Sequence, residues 1–341
     1  MSEHILVTGG AGYIGSHATQ KLLDKGYRVT VLDNLSTGFL GAIPERADFV
    51  QADILEQAAL SRILKEKSIT AVVHLAAKLV IAESIEKPYE YFENNVCGTI
   101  NLLKACKENN VKKFIFSSSG SVYGNAHPEG PIPEASSTDP LSPYASSKLA
   151  AERIIRAANT EQGLQSVTLR YFNAAGAAPS GLNGQRTLRA THLVKVAAQV
   201  ALGLQPKLTA HGKDYLTHDG TCVRDYIHVE DLAEAHVCAL EYLNCGGKAM
   251  TVNCGYGHGY SVLDVVAVMK KVSQKNFDVV FGGRRVGDAR SLVADVSQIN
   301  KNLGWAPKYN DIEFICKTAY EWEKTLMDLD KPLSVATSCR H

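Results

Sequence analysis

Short apolar runs alternate with longer amphipathic segments over the first half of the chain. The amphipathic segments predict helices, most clearly at residues 17–23, 88–108 and 143–158. The apolar runs predict strands at residues 4–8, 28–32, 47–51, 71–75, 113–116 and 166–171. Strands that alternate with helices of this length build crossovers, which place helices on both faces of a parallel sheet. The predicted fold class is therefore α/β, with a doubly wound parallel sheet.

The regular alternation stops after residue 173. Residues 177–190 are rich in Gly, Pro, Ser and Asn and predict a long loop, and helices are predicted at 192–202, 229–242 and 262–272. We therefore expect a first domain at 1–175 and a smaller mixed α/β substrate-binding lobe at 176–341. Segments such as 222–242 are expected to pack back on the first domain. The polar, weakly patterned stretch after residue 329 predicts a frayed terminus.

Composition excludes several classes of partner. The chain has 341 residues, 45% of them hydrophobic and 21% charged, and a net charge of +1, which is ordinary for a globular protein. Basic residues do not cluster with aromatic ones, and no apolar run reaches the length of a membrane span, so we expect neither nucleic acid nor membrane as a partner. A strand pattern begins within the first residues and leaves no room for a signal peptide, which predicts a cytoplasmic protein. The cysteines and histidines lack metal-ligand spacing, so we expect free thiols and no metal.

A glycine-rich turn follows the first predicted strand, with Gly9, Gly12 and Gly15 spaced G-x-x-G-x-x-G. Such glycines let the backbone approach a pyrophosphate, which rests at the positive N-terminus of the next helix. Asp33 ends the second strand, where a carboxylate bonds the adenosine ribose hydroxyls and repels a 2′-phosphate. Packing of the glycines and turn capping by Asp33 are the alternatives. The two signals together favour a Rossmann-type domain that binds NAD rather than NADP.

Polar residues that can do acid–base chemistry fall at the expected ligand-binding edge. Ser119 and Asn173 follow strands, and ligand sites in open parallel sheets lie beyond the carboxyl ends of the strands. Tyr144 and Lys148 are four residues apart on one predicted helical face. A neighbouring ammonium and a positive nicotinamide ring would both lower the pKa of the phenol towards neutral pH. A serine turn, an exposed Tyr–Lys pair and a capping asparagine are the alternatives.

A series of motifs, taken together, resembles the UDP-glucose 4-epimerase family of extended short-chain dehydrogenases. The resemblance runs from about residue 4 to residue 305, and the stretch 214–229 is the part most specific to epimerases. The motifs are Gly9-Gly-Ala-Gly-Tyr-Ile-Gly-Ser-His17, Phe116-Ser-Ser-Ser119, Tyr144-x-x-x-Lys148, Arg170-Tyr-Phe-Asn173, Asp214-Tyr215, Asp219-Gly-Thr221 and Arg224-Asp-Tyr-Ile-His-Val229.

This resemblance implies reversible C4 epimerization of UDP-galactose and UDP-glucose through a 4-keto sugar, with tightly bound NAD. Tyr144 would be the base, Ser119 would bond the reacting oxygen, and Lys148 would hold the nicotinamide ribose. The implied cofactor contacts are Gly9, Gly12, Tyr13, Ile14, Gly15, Asp33, Asn34, Asp53, Ile54, Leu75, Ala76, Ala77, Asn94 and Phe172, beside Ser119, Tyr144 and Lys148. The implied UDP-sugar contacts are Asn173, His192, Leu193, Arg224, Arg285, Asp288 and Leu292, beside Ser119 and Tyr144. A homodimer through the helices at about 88–108 and 143–158 is also implied.

The arginines suit a diphosphate because a guanidinium presents a planar fork to phosphate oxygens. A salt bridge of Arg224 with Asp225, and a solvated surface pair of Arg284 and Arg285, are the alternatives. The resemblance also implies that Leu292 lies against the 2-substituent of the sugar, where its branched end is expected to crowd an acetamido group and so to favour UDP-galactose over UDP-N-acetylgalactosamine. A core position under the site is the alternative for Leu292.

Some positions depart from the pattern of the family. Leu79 stands where a cofactor-binding lysine is common, and Lys78 lies one position earlier. His192 replaces an asparagine near the uracil pocket, and His211 replaces a phenylalanine, so uridine packing is expected to differ. A dehydratase would need a carboxylate pair in the loop after the fifth strand, where this chain has Gly-Ser-Val at 120–122. A simple dehydrogenase would use the same residues if its product left the site, and a catalytically silent regulator could bind NAD without turnover.

Overall fold

The computed structural model describes residues 3–125, 130–187 and 191–329. The strands are β1 His4–Thr8, β2 Arg28–Asp33, β3 Asp48–Gln51, β4 Ala71–His74, β5 Lys113–Ser117, β6 Gln165–Tyr171, β7 Asn173–Ala175, β8 Leu208–His211, β9 Val223–Arg224, β10 Tyr226–His228, β11 Met250–Cys254, β12 Tyr260–Ser261, β13 Val279–Gly282 and β14 Ser291–Leu292. The helices are α1 Tyr13–Asp24, α2 Gln57–Glu66, α3 Ile81–Glu86, α4 Pro88–Phe92, α5 Gly98–Glu108, α6 Pro143–Gln162, α7 Leu193–Ala201, α8 Val229–Asn244, α9 Val262–Ser273, α10 Ser297–Leu303 and α11 Ile312–Leu329.

The central sheet has seven parallel strands in the order β11-β6-β5-β4-β1-β2-β3. Consecutive residues of a strand point to opposite faces, so an apolar strand can supply two cores. Ile5 and Val7 belong to the core on one face, and Leu6 belongs to the core on the other. The strand order reverses between β1 and β4, which makes that edge the expected ligand-binding crevice. The predicted α/β, doubly wound Rossmann-type fold is confirmed.

The second half of the chain contributes to the central sheet as well. Strand β11 pairs with β6 at the edge of the sheet, and helix α8 packs on α1, β5 and β6. The sequence analysis places no strand at β11, because its short run carries the polar residues Thr251 and Asn253. The division at residue 175 stays a prediction.

Small sheets flank this framework on the side of the predicted lobe. They are β12-β9-β14, β13-β8 and β10-β7. Arg224 in β9 lies opposite Leu292 in β14, which brings two predicted substrate contacts into register.

The predicted elements differ from the structure in two respects, whereas the predicted loop agrees with it over the described residues. The helix predicted at 88–108 consists of α4, a π-helical turn at Glu93–Cys97, and α5. Helices α2, α3, α10 and α11 are present although the sequence analysis does not predict them. In the predicted loop at 177–190, residues 177–187 form no helix or strand, and only a single bridge joins Ala177 to Gly184. Residues 188–190 and the predicted frayed terminus lie outside the described residues.

Candidate active site

The turn between β1 and α1 is built so closely that side chains are excluded at two of its glycines. Gly9 has φ 73°, and a Cβ on it would lie 2.6 Å from the backbone nitrogen of Ala76. A Cβ on Gly15 would collide with the Gly9 carbonyl oxygen. Gly12 caps α1 without a side chain, and the first turn of α1 contains no acidic residue. The exposed backbone at a positive helix end therefore fits the pyrophosphate of a dinucleotide.

The acidic residue at the end of β2 holds this turn in place. Asp33 accepts hydrogen bonds from the backbone nitrogens of Ala11 at 3.0 Å and Leu35 at 2.8 Å. Burial raises the pKa of Asp33 above its usual range, and the two backbone bonds oppose that shift. Asn34 donates to Asp53 at 2.8 Å, so the ends of β2 and β3 are joined beside it. This arrangement fits an adenosine ribose at the carboxyl ends of these strands.

The other predicted cofactor contacts lie around the same edge. Ile54 packs against Gly98 at the start of α5, and Phe172 packs against Gly120. Asn94 lies in the π-helical turn and donates to Asn95 at 2.9 Å. Tyr13 and Ile14 open α1, and Leu75, Ala76 and Ala77 directly follow β4.

The cations at this edge are not where the resemblance would place them. Lys78 forms an ion pair with Glu90 at 2.5 Å, and the Leu79 side chain is half exposed. Position 79 therefore carries no cation, and the positive charge of Lys78 is already paired.

Helix α6 brings the predicted base to the end of β5. The Ser142 hydroxyl accepts from the backbone nitrogen of Ala145 at 3.2 Å, and Pro143 occupies the first helical position, where its missing N–H costs nothing. This start places Tyr144 in the first helical turn, where its side chain lies near the Ser119 hydroxyl. Lys148 lies one turn later and donates to the Ser117 carbonyl oxygen at 2.8 Å. The structure thus brings the three predicted catalytic residues together.

Burial decides the ionisation of this group. It raises the pKa of Tyr144 above its usual value, and the neighbouring Ser119 hydroxyl offsets part of the rise. Burial also lowers the pKa of the Lys148 ammonium to about 7, against the influence of the Glu152 carboxylate. In the protein alone, burial therefore outweighs the Ser119 hydroxyl, and the expected lowering of the Tyr144 pKa by an ammonium and a nicotinamide ring stays a prediction.

A buried ion pair behind the catalytic group is not anticipated in the sequence analysis. Glu152 receives two short hydrogen bonds from Arg170, at 2.9 and 2.6 Å, and one from the Ser118 hydroxyl at 2.5 Å. Arg170 also donates to the Tyr123 hydroxyl at 2.9 Å. Glu152 lies four residues after Lys148 and therefore on the same helical face, and this spacing could have identified it from the sequence.

The predicted substrate contacts form two groups. Asn173, His192 and Leu193 line a cavity together with Tyr226 and Trp322. His192 is 2.7 Å from the amide nitrogen of Gln185, and burial, with the nearby Lys195 ammonium, lowers the pKa of His192.

The second group surrounds Arg224. Arg224 is buried, forms an ion pair with Asp288 and donates to the Ala289 carbonyl oxygen at 2.7 Å. Its partner is therefore Asp288 and not Asp225, whose carboxylate accepts backbone N–H groups instead. Arg285 is exposed on the same loop as Asp288.

Leu292 is buried in a small apolar cluster that also contains Val122, Leu149 and Phe172. Because Phe172 packs against Gly120, next to Ser119, this cluster lies directly beneath the catalytic group. Both predictions for Leu292, a gate and a core position, are compatible with this packing.

The epimerase-specific segment also brings His218, Asp219 and Asp264 within 4.8 Å of one another. Asp219 already accepts hydrogen bonds from Thr221 at 2.8 Å and from the Ser261 hydroxyl. Asp264 completes the capping box of α9 with Ser261. The two carboxylates are thus used to fix the loop.

No helix among the described residues is both long and apolar enough to span a bilayer.

Comparison with known proteins identifies the family. The chain is 46% identical over 325 residues to the UDP-glucose 4-epimerase of Azospirillum brasilense, which covers 95% of this chain and 93% of that protein.

Two solved structures are similar over nearly the whole chain. The UDP-glucose 4-epimerase of Brucella ovis in complex with NAD superposes with a TM-score of 0.90 at 41% identity, covering 94% of this chain and 98% of that one. The UDP-glucose 4-epimerase of Stenotrophomonas maltophila, with bound NAD and formylated UDP-arabinopyranose, superposes with a TM-score of 0.92 at 38% identity, covering 96% and 99%. Residues 5–255 match the NAD dependent epimerase/dehydratase family. This chain belongs to that family and, within it, to the UDP-glucose 4-epimerases.

Proposed function

We propose that this chain catalyses the reversible C4 epimerization of UDP-galactose and UDP-glucose with tightly bound NAD. The observation that carries the proposal is that helix α6 brings Tyr144 beside Ser119 at the carboxyl end of β5, one helical turn from Lys148. A glycine loop and Asp33 border the same edge of the sheet. NAD held by this loop and by Asp33 would supply the acceptor and donor of the hydride from the sugar C4 carbon.

Each catalytic residue has one task in this proposal. Tyr144 takes the proton of the sugar 4-hydroxyl and gives it back after the keto sugar has turned its other face. Ser119, which lies near Tyr144, holds the reacting oxygen in place. Lys148 binds the nicotinamide ribose and supplies positive charge beside the phenol. Proton transfer by such a positioned group contributes about 10²–10⁴-fold in rate.

The substrate contacts belong to the same proposal. Asn173, His192 and Leu193 would surround the uridine, since they share one cavity. Arg224 and Arg285 would bind the diphosphate, and Asp288 would orient Arg224 by their ion pair. Leu292 would bound the sugar from below through its packing against Phe172.

We also propose that the protein acts in the cytoplasm as a homodimer through the region of α4 and α5 and through α6. The support is an apolar surface on the neighbouring helices α3 and α4, where Ile85, Tyr89 and Phe92 are 41%, 88% and 39% exposed. Aromatic side chains of this kind are enriched in protein interfaces.

The test is interconversion of UDP-galactose and UDP-glucose, started from either sugar nucleotide and followed by chromatographic separation of the two. Wild-type protein should reach equilibrium from either sugar nucleotide without net release of NADH. Tyr144→Phe should lose about 10²–10⁴-fold in kcat while it keeps its NAD. Stoichiometric NADH release would indicate a dehydrogenase instead, and a Tyr144→Phe enzyme within threefold of wild type would remove Tyr144 from the mechanism.

A further inference from the structure

A small cavity beside the start of α1 is lined from both halves of the chain. Its walls come from the glycine turn, from the loop after β2 and from the segment 184–187. The lining residues are Ala11, Gly12, Tyr13, Ser16, Thr37, Phe39, Ala42, Gly184, Arg186 and Thr187.

Arg186 brings a positive charge to this cavity without a compensating carboxylate. Among the described residues no carboxylate lies within ion-pair distance of its guanidinium, and its Nε is buried without a hydrogen-bond partner. The guanidinium lies over the Trp322 ring, 5.2 Å from the ring centroid. An arginine side chain does not lose its proton in a protein, so this charge is permanent.

The backbone on either side of Arg186 is held firmly. The Gln185 carbonyl oxygen accepts hydrogen bonds from Lys195 at 2.8 Å and from the Trp322 ring nitrogen at 3.2 Å. Asn183 donates to the Ser16 hydroxyl in α1 at 2.9 Å. The segment is therefore attached both to α1 and to the helices α7 and α11, which keeps Arg186 at the cavity.

Two positive features thus meet at one cavity. The N-terminus of α1 carries partial positive charge, and neither a capping side chain nor an acidic first-turn residue neutralises it. The Arg186 guanidinium adds a full charge with unused donors. A cavity with this chemistry suits a phosphate anion that accepts from backbone N–H groups on one side and from arginine on the other.

We propose that Arg186 binds the pyrophosphate of the dinucleotide and closes the segment 183–187 over the glycine turn. The identity of the anion rests on the NAD-dependent function proposed above. In this role Arg186, from the second half of the chain, supplies the cation at the cofactor phosphates. Lys78, in the first half, is already paired with Glu90.

The experiment measures dinucleotide retention separately from turnover. Wild type, Arg186→Gln and Arg186→Lys are purified with their NAD, passed into NAD-free buffer, and assayed for the dinucleotide that is released on denaturation. The stripped proteins are then titrated with adenosine, with ADP-ribose and with UDP. Arg62→Gln, which removes an exposed arginine on α2, is the matched control.

We expect Arg186→Gln to release NAD faster and to bind ADP-ribose about 10- to 100-fold more weakly, as befits a lost hydrogen bond to a charged group. Adenosine and UDP should bind as in wild type, because neither ligand places a pyrophosphate in this cavity. Arg186→Lys should keep part of the affinity, and Arg62→Gln should be unchanged.

Two results would overturn the assignment. ADP-ribose affinity within twofold of wild type would exclude Arg186 from the cofactor phosphates, and an equal loss for adenosine would mean that Arg186 only supports the loop. Failure of the proposed function is distinguishable, since a protein that binds ADP-ribose through Arg186 but does not convert UDP-galactose would leave this inference intact.

Discussion

The buried ion pair between Glu152 and Arg170 allows a quantitative test of what holds the catalytic strand ends together. The two side chains are 2% and 4% exposed, and four hydrogen bonds reach the carboxylate, three from Arg170 and one from Ser118. Glu152→Ala removes the negative charge and leaves the Arg170 guanidinium buried, with the Tyr123 hydroxyl as its nearest remaining partner at 2.9 Å.

The expected cost follows from the uncompensated charge. Removal of one partner from a buried ion pair typically destabilises a protein by about 3–5 kcal/mol. The double substitution Glu152→Leu with Arg170→Met removes both charges and keeps similar volumes, so it should recover most of that loss. The exposed pair Lys67–Asp48 is the control, and Lys67→Ala should change the free energy of unfolding by at most about 1 kcal/mol.

The assay is urea unfolding of the NAD-bound proteins, followed by tryptophan fluorescence. The reasoning would be refuted if Glu152→Ala unfolds at the same urea concentration as Lys67→Ala, or if the double variant is as unstable as the single one. Activity gives a second readout, because the Glu152 carboxylate raises the pKa of Lys148. In Glu152→Gln the pKa of Lys148 should fall further, so activity should be lost at a lower pH on the alkaline side.

Three further predictions concern assembly, substrate breadth and pH. Tyr89→Asp, on the exposed surface of α4, should shift the protein from dimer to monomer in sedimentation velocity, and an unchanged dimer would place the interface elsewhere. Leu292→Ser should narrow the preference in kcat/KM for UDP-galactose over UDP-N-acetylgalactosamine, whereas an equal loss for both substrates would mark Leu292 as a core residue. Burial lowers the pKa of His74 to about 3 and of His228 and His236 to about 4. The unfolded chain therefore holds more protons below the ordinary histidine pKa, and the free energy of unfolding should fall by about 1 kcal/mol per histidine for each pH unit from about pH 6 to about pH 4. Urea unfolding over this range checks the slope, and a flat profile would mean that these rings are already protonated in the folded state.

The fold was predictable where an uninterrupted apolar run forms the middle of a strand, as Ile-Leu-Val does in β1. Strand β1 is buried at every position, and its predicted bounds agree with the structure. Strand β11 was missed because burial there depends on partners distant in the chain: the Asn253 side chain is satisfied by Tyr123 and by the Ile132 carbonyl oxygen. A polar residue that is paired only in the tertiary structure carries no periodic signal.

The candidate site was predictable to the extent that its residues follow strand ends. Ser119 and Asn173 could be placed by the rule that ligand sites lie at carboxyl ends, and their neighbours by the resemblance. The partners of the charged groups could not be placed in this way. Arg224 has an acidic neighbour in the chain, Asp225, yet it pairs with Asp288, which is far away in the sequence. Sequence proximity favours the wrong partner because strand direction turns adjacent side chains to opposite faces.

Tyr144 and Lys148 show why a motif predicts position more readily than ionisation. The spacing places both side chains on one helical face, but the amount of water that reaches them decides their charge. Burial raises the pKa of Tyr144 and lowers the pKa of Lys148 to about 7. In the protein alone, burial therefore favours the neutral form of each side chain. An anionic Tyr144 near neutral pH therefore needs more positive charge in the pocket than Lys148 provides, because burial favours the neutral amine of Lys148. A cationic ring beside Tyr144 lowers the phenol pKa, so the strength of the base is coupled to occupancy of the dinucleotide site.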